Sequence, residues 1–106
     1  MGYKILRRRI YNNTNLLVQA DFDSENTIYE LRYAFDLAGL NITLPSNCIL
    51  KFDGGTISNG VLNLNGALVE PASHPMSDYF SSTLEVSGFK QGQTFFSEDA
   101  ENVIYW

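Results

Sequence analysis

Apolar and polar residues alternate most cleanly between positions 28 and 37. Tyr29, Leu31, Tyr33, Phe35 and Leu37 share one parity, and Glu30, Arg32 and Asp36 the other, with Ala34 as the apolar exception. A period of two predicts a strand with one buried face. A helix is the rival reading, because Ile28, Leu31, Phe35 and Ala38 would share a helical face. It leaves Tyr29, Tyr33 and Leu37 poorly placed, so the strand is preferred.

From residue 38 to 71 the pattern breaks into very short apolar segments, 42–44, 48–52, 56–57, 61–64 and 67–69. Between them stand Pro45-Ser46-Asn47, Asp53-Gly54-Gly55, Ser58-Asn59-Gly60 and Asn65-Gly66. Turns recurring about every six or seven residues suit a solenoid of small bends rather than long hairpins. Parity points Ile42, Leu44, Cys48, Leu50, Phe52, Ile57, Leu62, Leu64 and Leu68 inward; it points Thr43, Lys51, Asn63 and, as a further candidate, Ile49 outward. Gly55 and Gly60 are expected where a turn needs positive φ or a neighbouring coil passes closely. One such coil buries too little to offset its ordering and has no neighbour to accept its backbone hydrogen bonds. It must stack on further coils, on the N-terminal strands or on other subunits.

Upstream, two apolar-rich runs, 3–10 and 16–22, flank Tyr11-Asn12-Asn13-Thr14-Asn15. Asparagine tolerates turn conformations, so a β-hairpin or short arm is expected there. The resulting division is an arm and docking segment over 1–25, a capping strand and first coil over 26–71, and a transition segment with aromatic-rich strands over 72–106. The fold class is all-β.

An ordered run of motifs now carries a resemblance: Asn26-Thr27-Ile28-Tyr29-Glu30-Leu31-Arg32-Tyr33, Phe35-Asp36-Leu37, Ile42-Thr43-Leu44-Pro45, Cys48-Ile49-Leu50-Lys51-Phe52, Gly54-Gly55 and Ser58-Asn59-Gly60. This stretch, about residues 26–70, resembles the start of pectate-lyase-like right-handed parallel β-helix proteins, in the pattern common in Bacteroidetes and the phages that infect them. The resemblance implies a parallel β-helix whose first coil begins near Ile42. It further implies that Gly88-Phe89, Gly92-Gln93-Thr94-Phe95 and Trp106 belong to a transition after the first coils.

Composition and charge narrow the function. With 44% hydrophobic residues the 106-residue chain has enough apolar surface for one small folded domain. Seven basic residues against twelve acidic ones leave a net charge of -5, which disfavours a nucleic-acid partner. The first apolar run after the N-terminal arm, 16–18, is shorter than a membrane span or a secretory core, so no membrane partner is expected and, if Met1 is the native start, no cleaved export signal.

Candidate chemistry fails position by position. Asp21, Asp23 and Glu25 open like a calcium loop, but Asn26 and Arg32 stand where glycine and glutamate are needed. The glycines from Gly54 to Gly60 approach P-loop spacing, yet Val61 replaces the phosphate-binding lysine. One histidine, His74, and one cysteine, Cys48, assemble neither a nucleophile pair nor a metal cluster. Asp53 is the only acid, and Lys51 the only base, between Leu37 and Val69. The resemblance would place a lyase's calcium ligands and base several coils further along. No catalytic residue, cofactor or metal is therefore expected in this segment.

What remains is docking. Tyr3, Ile5, Arg7, Arg8, Arg9 and Ile10 at the N-terminal arm, with Tyr105 and Trp106 at the apolar end, are the expected docking residues. For Arg7-Arg8-Arg9 the competing account is an edge strand kept soluble by charge. Tyr79, Phe80, Phe89, Phe95, Phe96, Tyr105 and Trp106 could form a glycan-stacking platform or simply build a core. The resemblance implies a structural module of a phage tail fibre or similar virion appendage, homotrimeric and in contact with other virion proteins. A secreted bacterial polysaccharide lyase or glycan-binding β-helix is the alternative, and a self-contained small binding module the third.

Overall fold

Two-residue corners set the geometry of this chain. At Leu37–Leu40 the central residues Ala38 and Gly39 have φ of 49° and 78°, and at Leu64–Ala67 Asn65 and Gly66 have φ of 49° and 78°. Each corner is closed by a backbone hydrogen bond of 2.9 Å, from the Leu40 and Ala67 N–H groups to the Leu37 and Leu64 carbonyls. Positive φ at both central positions defines a type I′ turn, which asparagine and glycine adopt most readily. Asn26, Asn47 and Asn59, at φ of 52°, 57° and 59°, bend the chain elsewhere.

Between the corners only short strands fit. The computed structural model describes residues 1–8, 10, 11, 14–71, 75–96 and 102–105, and the side chains of 1–8, 15–71 and 75–93. In order the strands are β1 (Gly2–Ile5), β2 (Ile10–Tyr11), β3 (Thr14–Leu16), β4 (Thr27–Leu31), β5 (Ala34–Asp36), β6 (Asn41–Thr43), β7 (Ile49–Phe52), β8 (Thr56–Ser58), β9 (Gly60–Asn63), β10 (Leu68–Glu70), β11 (Leu84–Ser87), β12 (Gln93–Phe96) and β13 (Asn102–Tyr105). Two 3-10 turns, Gln19–Asp21 and Met76–Asp78, complete the described elements.

Three sheets form the faces of a right-handed β-solenoid of about four turns. Sheet A has the order β1-β4-β7-β10 and sheet C the order β6-β9-β11, both parallel throughout. Sheet B has the order β2-β3-β5-β8, parallel except for the antiparallel β2–β3 hairpin at its end. β12 and β13 form a separate antiparallel pair. In sheet A, Gly2 faces Thr27, Ile28 faces Ile49 and Ile49 faces Leu68, so successive turns take 25, 21 and 19 residues.

Stacking turns in register aligns like side chains in columns. Tyr29, Leu50 and Val69 form one, Phe35, Ile57 and Phe80 another, Ile42 and Leu62 a third, all buried. Phe52 stacks on Tyr79 at 4.4 Å and meets Phe80 edge-on at 5.5 Å, an arrangement that adds to the area they bury. The Tyr29 hydroxyl, deep inside, donates to the Ser24 carbonyl and accepts from the Ser24 N–H, both at 2.8 Å. Its burial raises the phenol's pKa.

The inward parity expected over 42–64 holds: Ile42, Leu44, Cys48, Leu50, Phe52, Ile57, Leu62 and Leu64 are buried, while Thr43, Lys51 and Asn63 are exposed and Ile49 is half-buried. Three expectations need correction. Leu68 is not an inward residue; Ala67 and Val69 are, and Leu68 sits half-buried on the outside. Residues 29–37 form two strands instead of one, and the corner between them leaves Tyr33 exposed. Stacking begins before Ile42, because β1 already pairs in parallel with β4. The N-terminal hairpin expected around 11–15 is present as β2 and β3, with Ile10 opposite Asn15 and Tyr11 opposite Thr14.

Gly55 and Gly60 mark close passages, as expected. A Cβ at Gly55 would lie 2.5 Å from the Leu31 carbonyl oxygen, and one at Gly60 2.6 Å from the Leu37 Cβ.

Two sheet edges are finished by glutamine. The Gln19 amide donates to the Thr43 carbonyl at 2.7 Å and accepts from the Thr43 N–H at 2.8 Å, on the N-terminal edge of sheet C. Gln93 does the same for Val69 on the far edge of sheet A, accepting at 2.9 Å and donating at 3.3 Å. In each case a side-chain amide stands where the next strand's peptide group would be.

Candidate docking face

The outer surface of sheet A carries two rows set by the strand register. Tyr3, Ile28, Ile49 and Leu68 form an apolar row, and beside it run Ile5, Glu30, Lys51 and Glu70. Their chain neighbours Tyr29, Leu50 and Val69 are buried, and successive strand residues point to opposite faces, so both rows point outward. Tyr3 and Ile5, on the end strand β1, are 52% and 41% exposed and form the open end of these rows.

Glu30 is the electrostatic centre. Only 4% of its side chain is exposed, although it lies on the outer face. The Tyr3 hydroxyl and the Arg32 Nε both donate to its carboxylate, and Lys51 Nζ stands 3.7 Å away. Lys51 also donates to the Tyr3 hydroxyl at 3.3 Å and lies 5.6 Å from the ring centroid, within cation–π range. Three strands are thus tied across the face by one carboxylate.

The Tyr3 hydrogen bond first, then the Arg32 hydrogen bond and the charges of Arg32 and Lys51, hold the Glu30 carboxyl below its ordinary value of 4.5. A depressed carboxyl pKa stabilises the fold above the unfolded-state value, and that contribution disappears as pH falls through the lower folded-state value. Melting temperature is therefore expected to fall on acidification below about pH 4.5. Glu30→Gln should melt lower than the parent at pH 7 and show a shallower acid slope. Equal slopes for the two proteins in thermal melts between pH 7 and 3 would count against Glu30 as the linked group.

The remaining docking candidates separate. Tyr3, Ile5 and Arg7 line one concavity together with Lys4 and Asp21. Arg8 is exposed, and its guanidinium lies 4.9 Å over the Tyr33 ring at the first corner of the next turn. Arg9 and Trp106 lie outside the described residues, as does His74. Ile10 and Tyr105 fall in β2 and β13, with side chains outside the described set. Lys4, which sequence reasoning passed over, donates to the Asp21 carbonyl at 2.8 Å and pairs with Asp23 at 3.6 Å. Glu30 was also missed as a site residue: its polar parity marks it as solvated, and no local pattern reports partners 27 and 21 positions away.

Among the described residues no group of three or more His, Cys, Asp or Glu side chains is placed to hold a metal ion. No family model, curated protein or solved structure matches the chain.

Proposed function

We propose that this chain is a non-catalytic structural and attachment module, the opening segment of a phage tail fibre or similar virion appendage. The motif resemblance of residues 26–70 points to that family of β-helices. One observation carries the attachment part: the end strand β1 presents Tyr3 and Ile5 exposed, beside Arg7, at one extremity of the solenoid. A docking surface on the end of the stack leaves the rest of the solenoid to project away from the particle.

In this reading the working form is a homotrimer, in which a closed symmetric interface lets the same apolar row cover itself in every copy. The half-buried Ile28, Ile49 and Leu68 supply such a row. The N-terminal arm then contacts a sister chain or a different virion protein. Light scattering on the purified chain at micromolar concentration is expected to give three times the 11.9 kDa chain mass. A stable, well-folded monomer would overturn the trimeric fibre and leave a small binding module as the better description.

A further inference from the structure

We propose that the free edge of β1 accepts one extended, acidic polypeptide strand from a partner protein, extending sheet A by strand addition. The proposal rests on the attachment reading only in placing recognition at this end of the solenoid, and it names the partner's chemistry.

The ladder defines the edge. The Gly2 N–H donates to the Asn26 carbonyl at 2.8 Å and the Leu6 N–H to the Glu30 carbonyl at 3.0 Å. In a parallel pair alternate residues bond the same neighbour, so Gly2, Lys4 and Leu6 face β4. Tyr3 and Ile5 consequently turn their N–H and C=O groups to the other side. The concavity there is lined by Tyr3, Lys4, Ile5, Arg7 and Asp21. It includes residues of both parities of β1, so it follows the strand's edge instead of lying on one face.

Other edges of the described solenoid are finished differently. Gln93 closes β10, Gln19 closes β6, and the β2–β3 hairpin ends sheet B. β11 ends sheet C without such a device among the described residues, but its one charge is Glu85. At β1 a row of backbone donors and acceptors is joined to the positive charge of Lys4 and Arg7.

That charge selects the occupant. Lys4 in β1 and Arg7 just after it line this edge in a chain of net charge -5. Lys4 is held by Asp21 and Asp23, whereas Arg7 makes no ion pair among the described residues. A strand with a carboxylate opposite Arg7 gains a cross-strand pair. A second copy brings no carboxylate to Arg7 from β1 itself, and it adds the same Lys4, Arg7 and Arg8 charges on the other side of the ladder.

Capped peptides about eight residues long, alternating valine with glutamate or valine with lysine, test this by titration and amide hydrogen exchange on the intact chain. The glutamate peptide is expected to bind at least about tenfold more tightly than the lysine peptide, less so at high salt. It should slow exchange at the Tyr3 and Ile5 amides. Ile5→Pro removes an N–H that faces away from β4, so it should melt near the parent and lose binding. If Ile5→Pro fails to fold, Arg7→Glu carries the test by reversing the peptide preference. Equal affinity for both peptides, unchanged Tyr3 and Ile5 exchange at saturation, or a folded Ile5→Pro that binds like the parent overturns the proposal. So does slow exchange at those amides in a peptide-free dimer, which would assign the edge to a second copy. The trimer's test is separate: a monomer that binds the glutamate peptide retains strand addition and loses the trimer, and a trimer that ignores it does the reverse.

Discussion

Replacing Gly55 by alanine is expected to lower the melting temperature by on the order of 10–20 °C. A Cβ there would lie 2.5 Å from the oxygen and 2.6 Å from the carbon of the Leu31 carbonyl, in the preceding turn. Both are backbone atoms fixed by the β4–β7 ladder, so relief requires spreading two turns that hold the core columns in register. Overpacking of this kind costs about 1–3 kcal/mol and occasionally more, and backbone on backbone belongs at the upper end. Gly60→Val should behave similarly, since a Cβ there meets the Leu37 Cβ at 2.6 Å and the Leu40 carbonyl oxygen at 2.8 Å. Gly66→Ala separates close approach from backbone strain: its Cβ would meet nothing within 4 Å, but its φ is +78°. The cost should then be only the left-handed conformation, about 1–2 kcal/mol. Thermal melts by circular dichroism decide it, and an unchanged melting temperature for Gly55→Ala would falsify the close passage.

Leu50→Ala should cost about 3–5 kcal/mol, whereas the adjacent Lys51→Ala should stay within about 1 kcal/mol. Leu50 is fully buried between Tyr29 and Val69, with a turn above and a turn below to hold the cavity open. Lys51 is about half exposed, and its contacts with Glu30 and Tyr3 lie in solvent-screened surroundings. Urea denaturation of the two variants checks the contrast. Similar losses at the two positions would mean that the columns do not form as described.

Parity was readable where each segment was bounded by strong turn residues. Over 42–64 glycine, asparagine and proline punctuate the chain, and the alternation inside each segment reports its buried side. Around Arg32 and Tyr33 no such residue stands, and the alternation continues across the bend without a break in phase; a corner and a straight strand look alike there. Leu68 was misassigned because the parity of Leu62 and Leu64 was carried on across Asn65-Gly66, whereas the corner at those two residues shifts the phase and places Ala67 and Val69 inside. The parallel pairing of β1 with β4 left no local trace, since a partner 25 residues away shares no turn.

The candidate site divides along the same line. Tyr3, Ile5 and Arg7 were legible as apolar and basic residues in a terminal segment. The role of Glu30 was not, because an outward acid reads as solvated until its cross-strand neighbours are known. Gln19 and Gln93 gave no signal at all: a glutamine that imitates a peptide group has the same letter as one in water.

The glutamine closure gives sheet A a direction of growth. A strand added to an edge satisfies one row of peptide groups and offers another, so it propagates. A glutamine amide satisfies one N–H and one C=O and carries no continuing row of peptide groups behind it, as a monofunctional reagent quenches a step-growth polymer. At β10 that quencher is built into the chain through Gln93. Head-to-tail stacking through sheet A needs a reactive β10 edge to meet a reactive β1 edge, and only the second remains. Along this face the described solenoid is thus one-ended: Gln93 withdraws the β10 edge from head-to-tail stacking, and the β1 edge is the one left for an added strand.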